Sequence, residues 1–164
     1  MKKVFIDGSA GTTGLRIYER LENRKDIELL RLSEKSRKDK AARKEAINSA
    51  DIAFLCLPDD AARESVSLCE NENPVIIDPS TAHRTAAGWV YGFPELSPER
   101  KAEIAASKRI AVPGCHASGF ISLVFPLTES GVLKKSALLS CFSVTGYSGG
   151  GKKMIAEYEG ENRD

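Results

Sequence analysis

The sequence predicts an α/β protein with a doubly wound parallel sheet of the Rossmann type. Apolar runs of strand length alternate with helix-length segments, and a glycine-rich turn joins the first run to the first helical segment. Strands that alternate with helices in this way form a parallel sheet with helices on both faces. The 164 residues, of which 41% are hydrophobic, suit one globular domain, or one domain and part of another.

The apolar runs predict the strands in chain order, over residues 3–7, 27–32, 52–57, 75–78 and 109–112. The segments between them predict helices, over about residues 13–23, 36–49, 60–71 and 97–107. Leu15, Tyr18 and Leu21 recur on one side of the first helix. The fourth helix starts at Ser97-Pro98-Glu99, which is typical of a cap followed by a first-turn proline and a first-turn acid.

The later part of the chain predicts the start of a second domain. A long apolar segment over 119–127 indicates a helix, and residues 137–144 indicate a strand. We expect a dinucleotide-binding domain over residues 1–115 and the beginning of an α+β substrate domain over residues 116–164.

The turn after the first strand carries the clearest binding signal. Its glycines have the spacing G-x-x-G-x-x-G, in the run Gly8, Ser9, Ala10, Gly11, Thr12, Thr13 and Gly14. Glycines let a backbone turn sharply and approach a pyrophosphate, which then rests on the helix N-terminus. The loop therefore predicts dinucleotide binding, and a simple tight turn is the alternative. Leu57 and Pro58, at the end of the third strand, fit the crevice where ligands collect in such sheets, although Pro58 also suits a plain strand end.

The residues after the second strand favour NADP over NAD. Residues 31–44 contain seven Lys or Arg and two acids, in a chain whose net charge is only +1. Cationic and hydroxyl side chains suit a 2′-phosphate, and we select Ser33, Ser36 and Arg37. Glu34 keeps NAD possible, and a solvated helix face is the plain alternative.

Cys115 is the candidate nucleophile. It lies between a predicted strand and a predicted helix, where unpaired N–H groups and aligned peptide dipoles stabilise a thiolate. A small buried hydrophobe is the alternative, because most free cysteines have that role. We assign Cys56, Cys69 and Cys141 to packing, since the cysteine spacing fits neither a disulfide framework nor a zinc site.

Charge and hydropathy exclude several classes of partner. A net charge of +1 and a sequence pI of about 7.6 give no general attraction to nucleic acid. No apolar run approaches the ~20 residues that span a bilayer, and the first residues do not resemble a signal peptide. We expect a cytoplasmic protein that binds neither nucleic acid nor membrane.

Several segments together resemble the N-acetyl-gamma-glutamyl-phosphate reductases in their shorter form, within the aspartate-semialdehyde and glyceraldehyde-3-phosphate dehydrogenase superfamily. Besides the glycine loop they are residues 54–59 (FLCLPD), 77–84 (IDPSTAHR), 91–96 (YGFPEL), 113–115 (PGC) and 145–152 (TGYSGGGK). The resemblance extends along essentially the whole chain. Pro-Gly-Cys at the nucleophile is similar to this family, whereas aspartate-semialdehyde dehydrogenases typically have Asn-Cys there.

This resemblance implies a reaction and its supporting residues. The Cys115 thiolate would displace phosphate from N-acetyl-glutamyl 5-phosphate, and the thioester would take a hydride from NADPH to give N-acetylglutamate 5-semialdehyde. Ser80 and Arg84 would lie near cofactor and substrate phosphate, although Arg84 also suits an ordinary surface loop. Ser148, Gly149 and Gly150 would bring backbone N–H groups to the cofactor, or form a flexible connection.

The resemblance also marks departures and leaves rival functions open. His116 and His83 are the only histidines, and neither matches the family's catalytic histidine, which comes from the second half. His116 is therefore a weak candidate base, and His83 is taken as a loop residue. We expect a truncated N-terminal piece that binds cofactor without full turnover, from a protein that forms a homo-oligomer. The rivals are aspartate-semialdehyde dehydrogenase and a non-catalytic, redox-sensing dinucleotide-binding module.

Overall fold

The computed structural model describes residues 1–160, without the side chains of Ser148, Lys152 and Lys153. The chain divides into two compact units, the first over Met1–Pro113 and the second from Gly114 onward. This division falls two residues before the predicted domain boundary. The roles of the two parts, in cofactor and substrate binding, remain predictions.

Unit 1 is built on a sheet of six parallel strands in the order β2-β1-β3-β4-β6-β5. The strands are β1 (Lys2–Asp7), β2 (Ile27–Leu30), β3 (Ile52–Leu55), β4 (Val75–Asp78), β5 (Val90–Tyr91) and β6 (Arg109–Ala111). The helices are α1 (Thr12–Leu21), α2 (Lys40–Ser49), α3 (Asp59–Ser67) and α4 (Pro98–Ala106). A 3₁₀ turn over Pro94–Leu96 precedes α4. The predicted Rossmann-type parallel sheet is confirmed.

The core of unit 1 lies between the sheet and its helices. Phe5 of β1, Leu55 of β3 and Ile76 of β4 are buried, and Ile47 of α2 packs with them. Short central strands that are covered on both faces need apolar residues at nearly every position. For this reason the apolar runs in the sequence identify β1, β3 and β4.

Helix α1 packs through the face that contains Gly14. Gly14 is buried and Ile17, Tyr18 and Leu21 are partly buried, whereas Leu15 is 49% exposed. A Cβ at Gly14 would lie 2.4 Å from the carbonyl oxygen of Gly8, so the helix approaches the preceding loop closely on the glycine side. Of the three residues noted on one side of this helix, Leu15 therefore stays exposed while Tyr18 and Leu21 are partly buried.

Capping side chains decide where α2 and α4 begin. Asp39 accepts a hydrogen bond from Ala42 N at 2.8 Å, so α2 begins at Lys40 and residues 34–38 form turns instead of the predicted first helical turn. Ser97 accepts from Arg100 N at 3.2 Å and Pro98 follows it, as predicted for the start of α4.

Unit 2 contains α5 (Cys115–Glu129), a 3₁₀ turn over Tyr147–Gly150 and α6 (Gly151–Glu159). The strand predicted over residues 137–144 is not formed, and this prediction was wrong. A strand needs a neighbour for its backbone N–H and C=O groups, and no described residue pairs with this segment. Within residues 1–160, no helix combines the length and the apolar character that crossing a membrane requires.

Candidate functional site

The glycine loop lies where the strand order of the sheet reverses. β1 has β2 on one side and β3 on the other, and all three strands are parallel. The loop after β1 and the segment Cys56-Leu57-Pro58 after β3 therefore leave the same edge of the sheet on either side of this switch point. Open α/β sheets bind nucleotides in such a crevice.

Two glycines of this loop have no room for a side chain. Gly8 has φ +83°, and a Cβ there would lie 2.1 Å from the carbonyl oxygen of Cys56. Gly14 faces the oxygen of Gly8, and Gly11 N donates to that oxygen at 2.9 Å. The loop therefore folds back on itself against the end of β3, and it exposes backbone at the start of α1.

The start of α1 suits an anion. Gly11 is the N-cap, and no side chain caps the helix. The N–H groups of Thr12, Thr13 and Gly14 belong to the first turn, which has no intrahelical partner for them. A tight glycine turn that is followed by unpaired N–H donors fits a dinucleotide pyrophosphate. Leu57, which packs against the core, and Pro58, the N-cap of α3, follow β3 at the same edge of the sheet as the glycine loop.

The turn after β2 gathers the residues selected for the 2′-phosphate. Ser33 Oγ and Ser36 Oγ lie 2.7 Å apart, and Arg37 N donates to Ser33 O at 2.9 Å. Ser33 and Arg37 are exposed, and Ser36 is partly buried. The three residues therefore share one turn.

The positive charge near this turn is smaller than the residue count indicates. Arg43 is buried against Asp7, Lys40 pairs with Glu64, and Lys44 pairs with Glu70. The cations that have no ion pair with another described residue include Lys35, Arg37 and Lys38, which are exposed. The sequence count overstated the free charge because it cannot show which cations are paired within the fold.

The loop after β4 is held by a buried carboxylate. Asp78 accepts hydrogen bonds from Ser80 N and Ser80 Oγ, both at 2.8 Å, and from His83 Nδ1 at 2.5 Å. The His83 ring stacks on Trp89 with centroids 4.1 Å apart. Sequence reasoning missed this cluster. The available signal was an acid that ends an apolar strand five residues before a histidine.

Arg84 makes two bonds to backbone carbonyls. Its Nε donates to Val112 O and its Nη2 donates to Pro79 O, both at 3.1 Å. Arg84 thereby links the segments that follow the adjacent strands β4 and β6. Among the described residues, no hydrogen bond engages its Nη1, which leaves donors for an anion.

Cys115 is the first residue of α5, and its side chain is exposed. Gly114 is the N-cap, and no side chain caps this helix either. The thiol therefore lies at a helix N-terminus where the peptide dipoles favour an anion. The alternative that Cys115 is a small buried hydrophobe is not what the structure shows.

The other cysteines differ in environment. Burial, followed by the charges of Asp7 and Asp78, raises the pKa of Cys56 to about 12. Cys69 is partly buried, and its thiol donates to Asn71 O at 3.2 Å. Cys141 is exposed, so its assignment to packing was wrong. The predicted strand around Cys141 is not formed, so no neighbouring strand among the described residues covers its side chain.

Cys115 and Cys141 line a groove of about 610 Å³ within unit 2. His116 Nδ1 is hydrogen-bonded to Ser143 Oγ there, so its ring already has a polar partner. Gly149 and Gly150 lie in the 3₁₀ turn, and Gly149 N donates to Gly146 O at 2.9 Å. The side chain of Ser148 lies outside the description. Within residues 1–160, no cluster of His, Cys, Asp or Glu has the arrangement of a metal site.

Comparison with known proteins relates the chain to named enzymes. Residues 3–104 match the family model for the semialdehyde dehydrogenase NAD-binding domain. A Chelativorans protein named N-acetyl-gamma-glutamyl-phosphate reductase is 54% identical over 162 residues, which are 99% of this chain and 52% of that protein. A Trichormus variabilis protein of the same name is 52% identical over 157 residues, which are 96% of this chain and 49% of that protein. The chain thus spans about half the length of the curated relatives it matches.

Solved structures resemble the chain in fold. Aspartate semialdehyde dehydrogenase II from Vibrio cholerae, complexed with ASA, has a TM-score of 0.66 at 19% identity, over 98% of this chain and 51% of that one. The Candida albicans aspartate semialdehyde dehydrogenase with NADP has a TM-score of 0.58 at 18% identity, over 79% of this chain and 47% of that one. The match of residues 3–104 covers more than half of the sequence. The chain therefore belongs to the semialdehyde dehydrogenase family and carries that family's NAD-binding domain.

Proposed function

We propose that this chain is the cofactor-binding and nucleophile-bearing part of an NADPH-dependent N-acetyl-gamma-glutamyl-phosphate reductase. The observation that carries the proposal is identity above 50% to proteins of that name over nearly the whole chain. The reaction reduces N-acetyl-glutamyl 5-phosphate to N-acetylglutamate 5-semialdehyde and phosphate, in arginine biosynthesis. We expect the chain alone to bind cofactor without full turnover, and the whole protein to be a cytoplasmic homo-oligomer.

NADPH is the proposed cofactor, and the glycine loop fits it. The loop from Gly8 to Gly14 would hold the pyrophosphate at the start of α1, through the unpaired N–H groups of its first helical turn. Ser33, Ser36 and Arg37 would hold the 2′-phosphate, and a related structure is named as a complex with NADP. When bound, the cofactor supplies the hydride that reduces the acyl group. Leu57 and Pro58 would border the crevice, with Ser148, Gly149 and Gly150 as further contacts.

Cys115 is proposed to perform the covalent step. Its thiolate attacks the acyl carbon of the substrate, a C–S bond forms, and the C–O bond to phosphate breaks as phosphate leaves with its electron pair. The resulting thioester is an electrophile, and after its reduction the C–S bond breaks to release the aldehyde and restore the thiolate. A serine ester would release the product less readily, because an alkoxide is a poorer leaving group than a thiolate.

Ser80 and Arg84 are proposed to act at the phosphate end of the substrate. Arg84 keeps its Nη1 donors while the rest of the guanidinium is fixed to two carbonyls, so a phosphate would meet a donor that is already oriented. The N–H and the hydroxyl of Ser80 both donate to Asp78, so Ser80 would hold the loop beside the phosphate while Arg84 supplies the donors. A redox-sensing module would not need an anion site at Arg84, so a substitution there would leave the function of such a module intact.

Mass spectrometry of Cys115 tests the proposal. We would incubate the chain with N-acetyl-glutamyl 5-phosphate, use the full-length Chelativorans relative as positive control, and compare Cys115→Ser with Cys141→Ser. We expect an acyl adduct on Cys115 that Cys115→Ser abolishes and Cys141→Ser retains. An adduct that survives in Cys115→Ser would overturn the assignment. An adduct formed faster from aspartyl phosphate would favour aspartate-semialdehyde dehydrogenase.

A further inference from the structure

A buried ionic network stands at the end of β1, directly before the glycine loop. Asp7 Oδ2 accepts hydrogen bonds from Arg43 Nε at 3.1 Å, from Arg43 Nη2 at 3.0 Å and from Ser65 Oγ at 2.6 Å. Arg43 Nη1 donates to Glu64 Oε2 at 2.9 Å. These side chains come from β1, α2 and α3, so three elements meet at one carboxylate.

Three of the four residues of this network are buried. Asp7 is 3% exposed, Arg43 7% and Ser65 0%, while Glu64 lies nearer the surface. Burial lowers the pKa of the Arg43 guanidinium, but its hydrogen bonds and charge interactions with Asp7 and Glu64 outweigh burial and raise it, so Arg43 stays charged. A buried ion pair adds little net stability compared with apolar packing. We therefore consider how this ion pair positions the main chain.

The network fixes the main chain directly before Gly8, the first residue of the glycine loop. Asp7 O accepts a hydrogen bond from Cys56 N at 2.8 Å, and Gly8 follows with its left-handed φ against the Cys56 carbonyl. The main chain of Asp7 is thus fixed to the segment after β3, and its side chain is fixed to α2 and α3. Contacts of both the main chain and the side chain of Asp7 thus fix the direction in which the chain enters the glycine loop.

We propose that Asp7, Arg43, Ser65 and Glu64 form a positioning network that aims the glycine loop at the pyrophosphate of the dinucleotide. The inference rests on the proposed cofactor site and extends it to residues that do not contact the ligand. Arg43 belongs to the basic segment considered for the 2′-phosphate, but its guanidinium is already held by Asp7, Ser65 and Glu64. Its effect on cofactor affinity is therefore transmitted through Asp7.

The test uses ligands with and without a pyrophosphate. Isothermal titration of the 164-residue chain would compare NADPH with adenosine 2′-phosphate, in Ser65→Ala and Arg43→Lys variants. We expect both variants to lose about tenfold in affinity for NADPH, as is typical when residues that orient binding groups are removed. Affinity for adenosine 2′-phosphate should be unchanged, because that ligand does not occupy the loop.

Asn48→Ala provides the matched control. Asn48, in the last turn of α2, also joins this helix to the chain at the end of α3: its Nδ2 donates to Leu68 O and its Oδ1 accepts from Glu70 N, both at 2.8 Å. None of its hydrogen bonds with the described residues involves Asp7. This variant should lose stability without losing affinity for NADPH. Equal losses in all three variants, or NADPH affinity that stays at the wild-type level in folded Ser65→Ala, would overturn the proposal. If Arg43→Lys does not fold, the NADPH affinity of Ser65→Ala alone tests the proposal.

Hydrogen exchange separates this inference from the cofactor assignment. If the wild-type chain does not bind NADPH, the proposed cofactor site is wrong, and the positioning role is then judged on the amides of residues 8–14. Faster exchange of these amides in Ser65→Ala, but not in Asn48→Ala, would support the network. Equal exchange rates in wild type and Ser65→Ala would refute it.

Discussion

An added methyl group at Gly8 would clash with the main chain and would be strained by the backbone conformation. The φ of +83° at Gly8 disfavours any side chain, and a Cβ would lie 2.1 Å from the Cys56 carbonyl oxygen. Gly88 has a similar φ of +80°, but a Cβ there would meet nothing within 4 Å. The pair therefore separates backbone strain from steric conflict.

We predict that Gly8→Ala lowers the free energy of unfolding by about 3 kcal/mol, since left-handed strain and overpacking each contribute. Gly88→Ala should cost about 1 kcal/mol, from strain alone. Urea denaturation of both variants measures these values, and NADPH titration should show a loss of binding only in Gly8→Ala. Equal destabilisation of the two variants would contradict the steric account.

Cys56 and Cys115 are predicted to differ sharply in reactivity. Burial, with the added charges of Asp7 and Asp78, raises the Cys56 pKa from 9.0 to about 12, whereas Cys115 is exposed at a helix N-terminus. At pH 8.5, iodoacetamide should modify Cys115 and Cys141 and leave Cys56 unmodified until the chain is denatured. Peptide mass spectrometry gives the rates, and modification of native Cys56 as fast as Cys141 would be inconsistent with its burial.

The same shift predicts a pH dependence of stability. Between about pH 9 and pH 12 the folded state holds a proton on Cys56 that the unfolded state releases, so the free energy of unfolding should fall as pH rises. Cys56→Ala should flatten this slope in denaturation curves recorded across that range. A slope that persists unchanged in Cys56→Ala would assign it to other groups.

At the level of secondary structure, the sequence predicted best what local chemistry determines. The apolar runs of β1, β3 and β4 and the Ser97-Pro98 start of α4 depend on residues within a few positions. Residues 137–144 failed as a strand because a strand also depends on a partner that is distant in sequence. The two-residue β5 was missed because a run of that length carries no periodicity.

In the candidate site, too, the features that depend on local sequence were predicted better than the contacts between distant residues. The turn at the glycine loop and the helix start at Cys115 could be predicted because both depend on the local sequence, while their roles in binding and catalysis stay predictions. The Asp7–Arg43 pair was missed because 36 residues separate its members and no local pattern indicates the contact, whereas the Asp78–His83 pair, five residues apart, had a local signal that was not used. For this reason Arg43 was counted among the cations that favour a 2′-phosphate, although its charge is paired with Asp7 and Glu64 inside the fold.

For the whole molecule, the two units differ in how their apolar residues are covered. All residues of the buried core cluster lie before Pro113, within unit 1. Unit 2 instead exposes large apolar side chains, among them Leu138, Phe142 and Val144, whose exposed fractions are 101%, 92% and 80%. Contiguous exposed apolar surface of this kind favours association.

We predict that the 164-residue chain self-associates and that a fragment of residues 1–113 folds as a monomer, because that fragment retains the entire core cluster and lacks the exposed apolar segment. Sedimentation velocity over a range of concentrations measures association, and urea denaturation checks that the fragment unfolds cooperatively. Leu138→Glu together with Phe142→Glu is the matched variant, since it keeps the full length while removing apolar surface, and it should shift the chain toward monomer. A fragment that associates as strongly as the full chain would contradict this prediction, because the associating surface would then lie on unit 1.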